Sequence, residues 1–317
     1  MTEIRPWHWL GFILCILFFL ALDLGVFHRR SHVVKFGEAL AWTAVWFAMA
    51  MLFAVAIFIW RDRQEAVQFT TGYVIELSLS LDNVLVMAVI FDYFRVPAQF
   101  QHRLLFWGIL GVLVMRGAMI AAGVALITRF TWVLYIFGAI LLCTGLRMLV
   151  SKKEMQPEKN PVLRMARKVL PISENFDGGK FLTRIDGKRF LTPMALALLL
   201  IETSDLIFAV DSVPAVFSVT RNAFIVFTSN VFAILGLRSM YFLLAGALGR
   251  FRYLKIGLAA VLVFIGVKML LAPHGPETKW FQVELPTTVA LVVVAAIVLI
   301  SISLSVIASH REKKNEP

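Results

Sequence analysis

The chain is short of charge, cysteine and histidine. Charged residues make up 16% of its 317 positions, against about 25% in an average soluble domain. That excludes a soluble globular protein. Disorder needs low hydrophobicity, and 60% hydrophobic residues exclude it too. The two cysteines, Cys15 and Cys143, lie in separate apolar runs. They provide neither a disulfide framework nor a zinc spacing and are expected as packing residues. His-Glu-x-x-His is absent, which excludes a zinc metalloprotease. No aspartate sits in a Gly-x-Gly-Asp setting, and no lysine lies mid-span for a retinal. An enzyme is therefore not expected.

Long apolar runs are what the chain has in place of these. About 20 predominantly apolar residues cross a bilayer. Nine runs qualify: Trp7–Phe27, Ala39–Trp60, Gly72–Phe91, Leu104–Ile127, Phe130–Val150, Leu191–Val213, Ala223–Ala247, Leu254–Ala272 and Pro286–Ala308. The fold class predicted is an all-α polytopic membrane protein forming a single transmembrane domain. The net charge of +11 then bears on orientation rather than on nucleic acid, which is not an expected partner. Lys and Arg total 22 in the odd-numbered connections and C-terminal tail, against 7 in the N-terminus and even-numbered connections. Positive-inside places the N-terminus outside and the C-terminus in the cytoplasm. The stretch after the fifth span dominates that count. It reads as a solvated cytoplasmic loop, 151–190, rich in proline and glycine, and as a surface for membrane-protein partners.

The chain also repeats itself. Glu76-x5-Asp82-Asn83-Val84 in the third span returns as Asp205-x5-Asp211-Ser212-Val213 in the sixth, 129 residues later. Arg116 in the fourth span is followed 122 residues later by Arg238 in the seventh. Gly145-Leu-Arg147-Met-Leu returns 121 residues later as Gly266-Val-Lys268-Met-Leu. The two units, 72–150 and 191–272, contain three spans each, so alternation gives them opposite orientations. Inverted repeats of this kind are frequent in secondary transporters, with the substrate site at the midplane between them. Helices 7–27, 39–60 and 286–308 are peripheral to the repeat.

Five carboxylates lie where a membrane protein should avoid them: Glu76, Asp82, Glu202, Asp205 and Asp211. On insertion scales they cost together about 10 kcal/mol or more. Arg116 and Arg238 can balance two of them. The acid excess points to a bound cation. Glu76, Ser80 and Asn83 share one helix face, as do Glu202, Asp205 and Ser212. Asp82 and Asp211 each lie six residues beyond an acid, about 120° around the helix. A kink at Pro214 is expected to bring them together by freeing the Val210 carbonyl. An all-oxygen ligand set suits Mg²⁺, Ca²⁺ or Mn²⁺.

These segments resemble the signature segments of the TerC family. The resemblance rests on Glu76-Leu-Ser-Leu-Ser-Leu-Asp82-Asn83-Val84, Glu202-Thr-Ser-Asp205-Leu-Ile-Phe-Ala-Val-Asp211-Ser212-Val-Pro214-Ala215 and Phe227-Thr-Ser-Asn230…Gly236-Leu-Arg238-Ser-Met240-Tyr241-Phe242. The overall pattern is similar to Alx-type members. The resemblance covers roughly residues 7–308. It implies a bacterial inner-membrane protein, a tie to tellurium resistance and to the LysE transporter superfamily, and Mn²⁺ efflux. By position it implies a metal site of Glu76, Asp82, Asn83, Glu202, Asp205 and Asp211. Asp23 matches a first-helix acid of the Alx-like members. The expected function is divalent-cation export by alternating access, with Mn²⁺ as cargo, no prosthetic group, and proton exchange at Glu76 or Glu202 as driving force. The alternative is a membrane scaffold that assists assembly of other proteins through the 151–190 loop. A homo-oligomer is compatible with both.

Overall fold

A computed structural model describes residues 5–22, 36–150, 157–245, 253–274, 280 and 282–315. Ten α-helices occur among them: α1 Pro6–Leu22, α2 Phe36–Trp60, α3 Arg63–Tyr93, α4 Ala98–Arg129, α5 Val133–Val150, α6 Pro161–Val169, α7 Pro193–Phe217, α8 Ala223–Ala245, α9 Leu254–Leu271 and α10 Thr287–Asn315. Eight of these are long and apolar enough to cross a membrane, and α1 is a shorter apolar helix. The remainder of the expected first span, with Asp23, lies outside the described residues.

Helix ends follow local chemistry. α3 starts nine residues before its expected boundary because Asp62 caps it, accepting from the Glu65 amide at 2.7 Å. Glu65 also accepts two bonds from Arg61, each at 2.8 Å. At its other end Arg95 takes φ 51°. The Arg95 and Val96 amides then bond Asp92 and Phe91 carbonyls at 2.9 and 2.8 Å, closing a Schellman motif. Pro214, expected to break its helix, does not: α7 runs through it to Phe217. Proline removes a single helical donor, the one for the Val210 carbonyl, and the ladder resumes beyond it, the Ser218 amide donating to the Pro214 carbonyl at 3.1 Å.

α8 and α3 are the most buried spans, followed by α9 and α7. α3 packs on α8, α4 on α7, and α5 on α9, while α2 and α10 lie outside and present most of their surface to lipid. Without a hydrophobic drive between helices in lipid, close approach depends on small residues. A Cβ built at Gly145 would lie 2.9 Å from the Val263 amide nitrogen and 3.0 Å from the Ala259 carbonyl. At Gly266 it would lie 2.6 Å from the Leu142 nitrogen and 2.9 Å from the Gly138 carbonyl. Cys15 and Cys143 are both exposed on the outer helices α1 and α5, so they face the surroundings rather than pack in the core.

The described part of the basic connection is a folded cap, not a plain solvated loop. Asn160 caps α6, accepting from Val162 and Leu163 amides. Strands β1 Leu182–Ile185 and β2 Lys188–Leu191 pair antiparallel around Asp186-Gly187. Both turn residues have positive φ, 51° and 78°, as a two-residue hairpin turn requires. Asp177 accepts from the Thr183 hydroxyl at 2.7 Å and from Lys180 at 3.4 Å. The Thr183 bond, chiefly, holds its carboxyl below the usual aspartate range. That support is present above about pH 4 and fades as pH falls through the lowered value.

Two substitutions check this packing by thermal unfolding in detergent. Arg95→Gly removes the left-handed strain and should stabilise by about 1 kcal/mol. Gly266→Ala forces α5 and α9 apart and should destabilise by about 1–3 kcal/mol.

Candidate functional site

The site forms where α3, α4, α7 and α8 meet. The i, i+4, i+7 spacing sets Glu76, Ser80 and Asn83 along one buried face of α3. Asp205 and Ser212 come from α7, Asn230 from α8 and Arg116 from α4. Arg116 is 1% exposed. Its Nε donates to Asp205 Oδ2 at 3.2 Å and its Nη2 to Asp205 Oδ1 at 3.0 Å, a bidentate pair. Its Nη1 donates to Ser212 Oγ at 2.9 Å, to Asn230 Oδ1 at 3.0 Å and to Glu76 Oε1. Asn83 Nδ2 donates to Asp205 Oδ1 at 3.0 Å.

This cluster opposes two carboxylates to one guanidinium. Three buried acceptors in it or beside it have no hydrogen-bond partner: Glu76 Oε2, Asn83 Oδ1 and Ser80 Oγ. A buried acceptor left unpaired costs about 1–3 kcal/mol. An excess of negative charge together with orphaned oxygens fits a water or cation in this region.

Asp82 and Asp211 do not join the cluster. Their six-residue offset turns each about 120° away from Glu76 and Asp205. Both line a second space, a cavity of about 60 Å³ between α3, α5, α7 and α9. Thr144 of α5 donates to Asp211 Oδ1 at 3.0 Å. Asn83, Arg116 and Ser212 belong to the walls of the same cavity, so the two groups are adjacent. Lys255 of α9 adds positive potential at Asp82.

The expected six-residue ligand set is thus divided. Among the described residues no three His, Cys, Asp or Glu side chains converge as a metal centre. Glu76, Asn83 and Asp205 gather on Arg116, and Asp82 and Asp211 share the cavity. Glu202 lies apart, its carboxylate where a Cβ on Gly111 of α4 would fall. The three-residue step from Glu202 to Asp205 is a rotation of about 60°. Both acids meet α4, but that rotation sets Glu202 at Gly111 and Asp205 on Arg116. Arg238 is buried on α8, about 12 Å along the helix from Asn230. Pro214 contributes no break.

Two contacts were not anticipated. Thr144 is one hydroxyl in an apolar span, and only its polarity there marks it. Lys268 is buried, and its Nζ donates to the Ser218 carbonyl at 2.9 Å, closing the C-terminal end of α7.

Arg116→Ala would strand Glu76 and Asp205 in the interior. It should cost about 3–5 kcal/mol of stability, read as thermal unfolding in detergent. Adding Glu76→Gln and Asp205→Asn to it should recover much of that loss.

Comparison with known proteins places the chain in context. Residues 61–314 match the Integral membrane protein TerC family. An uncharacterized membrane protein of Myxococcus xanthus is 50% identical over 96% of the chain and 93% of its own length. An Escherichia coli K12 protein whose name proposes a membrane-bound redox modulator, Alx, is 43% identical over 98% of the chain and 97% of its own length. A Rickettsia bellii membrane protein is 38% identical over 95% of the chain and 98% of its own length. No solved structure matches significantly.

Proposed function

The chain belongs to the TerC family of integral membrane proteins, and we propose that it exports a divalent metal cation, Mn²⁺ foremost, by alternating access. The observation that carries this reading is the pairing of Asp82 and Asp211. They come from α3 and α7, first helices of the two repeat units, and line one cavity. Asn83, Thr144 and Ser212 add neutral oxygens around it, a hard donor set suited to Mn²⁺, Mg²⁺ or Ca²⁺.

The charge balance points the same way. Glu76 and Asp205 already exceed Arg116, so the cavity carboxylates add to a region of negative charge. In this reading Arg116 serves as the resident counter-ion while the site is empty. An arriving cation binds Asp82 and Asp211, then competes with Arg116 for Glu76 and Asp205. Proton exchange at Glu76 or Glu202 provides the coupling.

The inverted repeat finds support in the α5–α9 contact. Gly145 meets Ala259 and Val263, and Gly266 meets Gly138 and Leu142. Adding the repeat offset of 121 to one contact set gives the other. Reciprocity of this kind is what a two-fold relation between units produces. The basic cap after α5 favours a cytoplasmic C-terminus in a bacterial inner membrane.

A scaffold role is favoured by one observation: the cap is folded and exposes Leu182 and Ile185. The two readings separate on the carboxylates. In proteoliposomes, Asp82→Asn and Asp211→Asn should each lower Mn²⁺ flux at least about ten-fold, and Thr144→Val several-fold. Flux near that of the wild type from both aspartate variants contradicts the transport reading. A Mg²⁺, Ca²⁺ and Co²⁺ panel on the same vesicles identifies the cargo.

A further inference from the structure

The helix α6 has three faces rather than two. Leu163 and Ala166 are buried in the apolar cluster that holds Met87 and Ile90 of α3 and Leu200 and Ile201 of α7. The preceding turn, Pro157–Lys159, packs on α3 while α6 packs on α7. Arg167 donates to the Tyr93 hydroxyl at 3.3 Å at the end of α3, and Asn160 donates to Thr203 Oγ1 of α7 at 3.4 Å. The segment therefore bridges the α3–α7 seam. A narrow cavity in that seam is lined by Met87, Ile90 and Ile201 and reaches Asn83 and Asp205.

Apart from the Arg167 bond to Tyr93, the other two faces have no part in that contact. Met165 and Val169, one turn apart, are 62% and 71% exposed. Arg164, Arg167 and Lys168 lie on the third side, and the nine-residue helix contains no acid. Arg164 Nε is bonded to the Glu158 carbonyl at 3.0 Å, but a guanidinium has five donors, so both arginines keep capacity for a further acceptor. A short helix with an apolar stripe beside a basic stripe is the form that lies in a membrane interface. The end of α5, the preceding long helix in the chain, likewise exposes Leu146, Leu149 and Val150.

We propose that α6 docks on anionic phospholipid headgroups, with Met165 and Val169 toward the acyl chains and Arg164, Arg167 and Lys168 toward the phosphates, while its third face clasps the α3–α7 seam. Charge complementarity selects this occupant: each basic residue near an anionic leaflet gains attraction, and the cytoplasmic leaflet carries those lipids. The docking does not depend on what the site transports.

Hydrogen exchange on the reconstituted full chain tests it. Nanodiscs of phosphatidylcholine alone are compared with nanodiscs containing about 30% phosphatidylglycerol of the same acyl chains, a change of surface charge only. Amides of 161–169 should exchange about ten-fold more slowly or better in the charged bilayer, and high salt should abolish the difference. Lys168→Glu and Met165→Glu should each reduce the slowing in charged lipid and leave exchange in phosphatidylcholine unchanged. Equal exchange of the wild type in the two bilayers overturns the proposal and favours a soluble protein as occupant. A Lys168→Glu effect of the same size in uncharged lipid also overturns it, because that effect would belong to helix stability alone.

Discussion

Arg116 is the residue on which the interior is built. A guanidinium in a membrane interior is costly, and a carboxylate beside it equally so. Neither can be buried alone. The bidentate bond to Asp205 joins α4 to α7, and the bonds to Glu76 and Asn230 bring in α3 and α8. Four helices thus share one centre, two carboxylates around a single guanidinium. Breaking a pair of this kind is far more damaging than the pair is stabilising, because the surviving charge has nowhere to go. That asymmetry makes the cluster a register device: sliding any one of the four helices by a turn strands a charge.

The cavity beside it follows from helix geometry. Six residues separate each clustered acid from its cavity partner, and the rotation that produces the separation is fixed by the helix itself. The same rotation in α3 and α7 puts Asp82 and Asp211 on the same side of Arg116. α5 and α9 complete the walls with Thr144, Met148, Leu258 and Leu262. Their close contact through Gly138, Gly145 and Gly266 brings Thr144 within reach of Asp211. Packing, rather than polarity, sets that distance.

Much of this was legible in the chain. Eight of the nine apolar runs are helices of spanning length, and α1 covers part of the ninth. Glu76, Ser80 and Asn83 share a buried face as their spacing requires. The six-residue problem was visible, but a kink at Pro214 was the wrong remedy. Proline removes one donor and crowds the turn before it, and α7 absorbs this at Pro214 and continues to Phe217. One ligand set was expected where two groups formed, because facing directions on separate helices are set by tertiary packing. Glu202 shows this most plainly, being one helix step from Asp205 and yet at Gly111 rather than on Arg116. The cap was legible in part: Asp186-Gly187 between β-prone residues is a strong hairpin signal, obscured by the charge and proline around it.

The proposed cation site lies inside the membrane and draws its carboxylates, Asp82 and Asp211, from both repeat units. Titration of purified protein with Mn²⁺, followed by electron paramagnetic resonance, tests it most directly. Binding should saturate in the wild type, be displaced by competing hard divalent cations, and be lost in both Asp82→Asn and Asp211→Asn. Absence of binding in the wild type, or binding unchanged in both variants, would contradict it.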